Sequence, residues 1–230
     1  AFVIHKVQQI LAGARISTPA AQNRDGRLCR RSVIVDRQIA PSVSRADITI
    51  HYKHSTCPGF NGYLYRGQSE YNCPMETLFE YVDPLPLPAP RIRWDKGIKK
   101  VEVIRELDEN LRLNRTATNS AAMGLISPRD FVDAVLTIRG DTYISTNGIS
   151  VICPDYPPQE KYVRGWNYHC GLMCIQNPER PQHSRLVSFI QPDIRGMLPR
   201  SLVDSAIPGS MTEFFNNLRT CLKEDGKLVD

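Results

Sequence analysis

A chain of 230 residues, 41% hydrophobic and 23% charged, is long enough to bury a substantial core as one large domain or two small ones. Its formal net charge of +5 is too slight and too scattered to indicate nucleic acid, and no RNA-binding signature, zinc-finger spacing or basic helical stripe accompanies it; the mild excess suits transient contact with an anionic membrane surface. Seven cysteines at irregular spacing read as reduced thiols in a cytoplasmic protein rather than a disulfide framework, and no apolar run approaches the roughly 20 residues of a membrane span.

The opening AFVIHKVQQILAGA is broken by His5 and Lys6 and lacks a signal-peptide core. It suits a short amphipathic helix over 1–12, with Val3, Val7, Ile10 and Leu11 on one stripe. The chain does not start with Met, as expected of a processed product or a piece of a longer one. Residues 13–45 carry little pattern apart from SVIVDRQI (32–39), a candidate strand. The signals then sharpen. DITIHYK (47–53) alternates, with Ile48, Ile50 and Tyr52 on one face, and YLYRGQSEY (63–71) is aromatic and strand-like. In NCPMETLFEYV, Pro74 suits a first helical turn, and Met75, Leu78, Phe79 and Val82 follow at helical spacing. DPLPLPAP (83–90) reads as a stiff spacer, with a ligand for a proline-recognition domain as the lesser alternative.

Short strand candidates follow at 98–107, 111–119, 130–139, 142–151, 170–176 and 184–195, the spacing of an antiparallel meander. Last comes PRSLVDSAIPGSMTEFFNNLRTCLKED, in which Val203, Ile207, Met211, Phe214, Phe215, Leu218 and Leu222 recur every three or four residues. This predicts a long amphipathic helix with Pro199 in its opening turn and a bend at Pro208, which cannot donate to Asp204. Helix, sheet and final helix together give an α+β class.

A sheet curled around a helix can enclose a cavity. In LRLNRTAT, Arg112, Asn114, Thr116 and Thr118 share one face; in DFVDAVLTI, Phe131, Asp133, Val135 and Thr137 share one. Periodicity does not say which face is concave. Between these strands, SAAMGLISPRD sets a small apolar loop before Pro128 and the adjacent charges Arg129 and Asp130. His169, Cys170 and Cys174 lack a second ligand pair, so no metal or other cofactor is expected. No third group orients a Cys–His pair, and Asp130, Asp133 and Asp193 stand in no recognisable catalytic frame.

ISPRDFVDAV (126–135), RIRWDKGI (91–98), GYLYRGQ (62–68), YVRGWNYHCG (162–171) and QPDIRGMLPRSLVDSAIPGSMTEFFNNL (191–218) resemble the START domain family, the steroidogenic acute regulatory protein-related lipid-transfer proteins. The subgroup resembled is the small soluble one that binds sterols or bile acids. The resemblance spans 46–224, leaving residues 1–45 and a tail at 225–230. It implies a helix-grip fold: a curved antiparallel sheet around a long C-terminal helix, enclosing a hydrophobic tunnel. It further implies a non-enzymatic, monomeric carrier of one sterol or bile-acid-like lipid. Two other readings stay open, a lipid-sensing module of a larger protein and an enzyme on a related helix-grip fold.

By the same resemblance, Ala121, Ala122, Met123, Leu125 and Ile126 form a lid over the tunnel mouth, faced by Ile207, Met211 and Phe215. Pro128 sets the turn, while Arg129 and Asp130 tie the loop base to the sheet. A buried acid and arginine found in some relatives correspond here to Thr116 and Val135. The resemblance therefore implies a neutral polar set, Thr116, Thr118, Thr137 and Thr146, with Asn114 and Asn147 beside it. Tyr168-His169 stands where the subgroup usually reads His-Pro. Arg91, Arg93, Lys96, Lys99 and Lys100 are candidates for anionic lipid.

Overall fold

The structure, a computed structural model, describes residues 40–45 (as backbone), 47–85 and 88–229. The helix expected over 1–12 and the strand expected over 32–39 lie outside the described residues. In chain order the elements are β1 (Ala40–Arg45), β2 (Ile48–His54), β3 (Tyr63–Tyr71), α1 (Met75–Val82), α2 (Pro90–Trp94), β4 (Ile98–Asp108), β5 (Leu111–Thr118) and β6 (Arg129–Arg139). There follow β7 (Tyr143–Ser150), β8 (Val163–Arg164), β9 (Trp166–Asn167), β10 (Cys170–Gln176), β11 (Ser184–Ile190), β12 (Pro192–Asp193) and α3 (Arg200–Glu224).

One sheet runs in the order β1-β2-β3-β11-β10-β7-β6-β5-β4, antiparallel throughout, with β8 added parallel to β6. The expected strand over 184–195 stops at Ile190. Pro192 has no N–H to give a ladder, and the chain turns off to pair β12 with β9. Besides the two-residue strands β8 and β9, two elements lacked a legible signal. These are β1, and α2, which ends the proline segment with Pro90 in its first turn and buries Trp94. The Trp94 indole donates to the Tyr81 carbonyl at 3.0 Å.

The long final helix packs across the concave face of the sheet, giving the helix-grip fold. Its C-terminal half is the tight end. Met211, Phe215, Leu218, Cys221 and Leu222 are buried against Ile48, Ile50, Tyr71 and α1. The close approach depends on Gly67 in β3, where a Cβ would stand 2.6 Å from the Phe215 ring and 2.9 Å from Met211. The Tyr71 hydroxyl donates to the Phe215 carbonyl at 3.0 Å.

A smaller cluster of Leu111, Leu113, Val132, Ala134, Val151 and Cys153 packs on the opposite face of β5 and β6. Alternation along β6 separates the adjacent charges of the Arg129-Asp130 pair. Asp130, fully buried, accepts from Arg115 Nε and from Arg164 Nε and Nη2, each at 2.9 Å. Arg115 also reaches Glu102 and Gln159 and lies 5.1 Å over the Tyr162 ring. Arg129 turns the other way, donating to the carbonyls of Ile194 (2.9 Å), Arg195 (3.2 Å) and Ser127. The shared role expected of the two residues is thus divided. Arg129 joins the base of the 121–126 loop to the 194–195 turn, whereas Asp130 fixes the sheet to the segment behind it.

Candidate binding cavity

Between the concave face and the N-terminal half of α3 lies a cavity of about 1220 Å³. Its floor is the even-numbered face of β5: Arg112, Asn114, Thr116 and Thr118. At a rise of about 3.3 Å per residue, that row extends roughly 20 Å. Phe131, Asp133 and Val135 of β6, Thr146 of β7, and Cys170 and Leu172 of β10 continue the wall. Ile207, Met211 and Phe214 of α3 form part of the roof, and Ser120–Gly124 with Lys96–Ile98 part of the rim.

Of the residues singled out from sequence, Thr116, Thr118, Val135, Thr146, Met123, Ile207 and Met211 stand on the cavity wall. Thr137, Leu125, Ile126 and Phe215 do not, and each has a physical reason. Thr137 lies one row beyond Val135, toward Arg139, whose guanidinium sits 5.1 Å over Phe79 of α1. Phe215 is fully buried in the solid core above Gly67. Ile126 is buried at the loop base, exchanging two backbone hydrogen bonds with Ala121. Leu125 is 63% exposed and points outward. Asn147 is exposed and bonds to Ser145 and the Leu136 carbonyl, away from the cavity.

The rim loop has an unusual backbone. Ala122, Met123 and Gly124 hold positive φ values of 49°, 53° and 89° in succession, a left-handed run that costs non-glycine residues energy. The Met123 side chain is fully exposed, as is that of Met197 just after the Ile194–Arg195 turn. Arg129 thus joins the base of the loop that carries exposed Met123 to the turn that precedes exposed Met197.

The wall is not neutral, because Arg112 and Asp133 line it, which corrects the expectation of a neutral set of threonines with Asn114 and Asn147 beside it. Arg112 lines the cavity and donates through Nη2 to buried Asp83 at 2.5 Å; its Nε is buried without a partner among the described residues. Asp133, 9% exposed, accepts from Ser150 Oγ at 2.6 Å and from Asn167 Nδ2 at 2.9 Å. Burial pushes its carboxyl above the usual range, and those two hydrogen bonds oppose the rise. Burial and the nearby Asp133 charge likewise push the Cys170 thiol up. The β5–β6 register sets Asn114 directly beside Asp133. Asn114 is 4% exposed, and its Oδ1 has no partner among the described residues. Sequence reasoning placed Arg112 and Asn114 on the face of Thr116, and Asp133 on that of Val135. For Asp133, a charged residue between Phe131 and Val135 on one strand face was the signal to follow.

A cavity of this make-up suits a mostly apolar guest, with a few buried polar atoms available to orient it. The START domain family model matches residues 42–227. The chain is 42% identical over 166 residues to human StAR-related lipid transfer protein 5, covering 72% of this chain and 78% of that protein. To human StAR-related lipid transfer protein 4 it is 33% identical over 176 residues, covering 76% and 82%. The solved structure of human StAR-related lipid transfer protein 5 superposes with a TM-score of 0.78 at 34% identity, covering 96% of this chain and 97% of that one. A cavity under a gripped helix, a matching sequence model and relatives at this level lead to one assignment: the chain belongs to the START domain family of lipid-transfer proteins.

Proposed function

We propose that this protein is a non-vesicular carrier that takes one sterol or bile-acid-like lipid into the cavity and exchanges it at membranes, acting as a cytoplasmic monomer without a cofactor. The observation that carries this reading is the cavity itself, about 1220 Å³ between the concave sheet and the half of α3 that lacks a filled core beneath it. Burying about 400 Å² of ligand hydrocarbon at roughly 25 cal/mol/Å² supplies on the order of 10 kcal/mol before ordering costs. Tight binding then needs no chemistry. The printed names of the relatives, lipid transfer proteins, support the same reading.

Exchange requires the 121–126 rim and the N-terminal half of α3 to part. Pro208 and Gly209 are where the helix yields most easily. Pro208 supplies no N–H to the ladder, and nothing lies within 4 Å of where a Gly209 Cβ would stand. Exposed Met123 and Leu125, with Lys96 on the same rim, suit contact with an anionic bilayer. Transfer of a fluorescent sterol between vesicles containing phosphatidylserine tests the proposal. Leu125→Asp is expected to slow transfer at least tenfold while equilibrium binding in solution is retained. Failure of the wild-type protein to take up any sterol or bile acid rejects the carrier reading, and unchanged transfer by Leu125→Asp rejects the rim.

A further inference from the structure

Four polar side chains at one end of the cavity are not accounted for by packing. Arg112 and Asn114 lie two residues apart on the cavity face of β5, and Asp133 is the cross-strand neighbour of Asn114. Asn167, from β9, completes the group by donating to Asp133. Their hydrogen-bond inventory is incomplete in a particular way. Each Asp133 oxygen accepts one bond, Oδ1 from Ser150 Oγ and Oδ2 from Asn167 Nδ2, and each has acceptor capacity left. Ser150 is itself held, since its Oγ accepts the Asn167 backbone N–H at 2.7 Å. Asn114 Oδ1 accepts nothing among the described residues, and Arg112 Nε donates to nothing. Buried polar atoms are almost always paired, so a cavity wall that presents two of them can hydrogen-bond a guest.

The chemistry that completes it is selective. An alcohol both donates and accepts, so it can give its proton to the Asn114–Asp133 acceptors and receive the Arg112 N–H. A ketone or ether only accepts, which leaves Asn114 Oδ1 unpartnered. A carboxylate also lacks a proton to give, and it meets the Asp133 carboxyl while the Arg112 charge is already matched by Asp83. From this arrangement we infer that Arg112, Asn114 and Asp133 form a ligand-hydroxyl anchor and that the cavity selects a lipid alcohol over the corresponding ketone, ether or acid. The inference rests on the carrier reading and narrows it, because the sterol alternative is favoured over a guest that directs a carboxylate inward. The anchor also lies off Thr116 and Val135, the positions at which the resemblance places a charged pair in some relatives.

The test measures equilibrium binding of four probes to the full chain: cholesterol, its 3-keto counterpart, its 3-O-methyl ether and a cholane carboxylate. Cholesterol is expected to bind roughly ten- to a hundredfold more tightly than the ketone and the ether, with the acid weaker still. In Asn114→Leu the alcohol–ketone gap is expected to fall to about twofold. The melting temperature of the unliganded variant should hold or rise, because the atom removed has no partner to lose. A residue with only a structural role would lower it. Asp133→Asn, of nearly the same volume, presents an amide donor and is expected to shift preference toward the ketone several-fold. Equal binding of cholesterol and its ketone by the wild-type chain overturns the anchor and leaves the carrier standing. So does a gap that neither variant alters. Binding of none of the four probes overturns the carrier reading and the anchor with it.

Discussion

The two halves of α3 belong to one helix yet rest on different ground. From Met211 to Leu222 its inward positions meet a filled core: Phe215, Leu218 and Leu222 are fully buried, and the backbone comes close enough to β3 to require Gly67. From Arg200 to Ile207 no residue is fully buried, because the space beneath is the cavity. The closed half holds the buried core, and the open half borders the cavity. Pro208 and Gly209 mark the change. Under the proposed carrier function, holding together and admitting a guest are thus separate demands along a single element.

The comparison breaks most plainly at Phe215. Phe215→Ala is expected to cost about 3–5 kcal/mol in urea unfolding; a loss below about 1 kcal/mol would mean the closed half is not the solid end. Next comes the backing of the open half. Asp130→Asn removes the charge shared by Arg115 and Arg164 and should cost about 3 kcal/mol. Burial opposes ionisation of Asp130, but the two guanidiniums win and hold its carboxyl below the ordinary range. A group held low stabilises the fold above its unfolded pKa of about 3.9, and that contribution fades as pH falls through the lower native value. Wild-type stability should therefore drop below about pH 4, more steeply than that of Asp130→Asn, as read by thermal melts across pH.

Smaller effects sharpen the contrast. Ile207→Ala, over the cavity, is expected to change stability by less than about 1 kcal/mol, since the residue is not fully buried. Lipid affinity should nevertheless fall several-fold, as seen by ligand titration. Smallest of all, Gly209→Ala should add about 0.5–1 kcal/mol, because the new methyl meets nothing within 4 Å. If the open half yields there, the same change slows lipid release in a stopped-flow assay, and an unaltered rate would place the yielding point elsewhere.

Much of this was legible beforehand. Alternation in LRLNRTAT and DFVDAVLTI assigned side chains to faces correctly, and the three- and four-residue steps of the last segment outlined α3. What alternation does not hold is distance across the sheet. Phe215 and Ile207 share a stripe, yet one meets Gly67 and the other the cavity; only the packing of α3 on β3 separates them. The same limit hid the polar end. Asn114 and Asp133 are nearly 20 residues apart in the chain and meet through strand register, and the Asp83 partner of Arg112 comes from the end of α1. Both β1 and α2 escaped notice because their surroundings, an Arg- and Ser-rich stretch and a proline run, carry no periodic apolar signal.

Arg129 has a mechanical consequence. Its guanidinium is buried among carbonyl oxygens from two separate stretches, Ser127 on one side and Ile194 and Arg195 on the other. A cation so placed acts as a rivet: neither stretch can be pulled outward without stripping hydrogen bonds from a charge that has no carboxylate partner among the described residues. The base of the 121–126 loop and the 194–195 turn are therefore coupled, and a force that pries one loose is felt by the other.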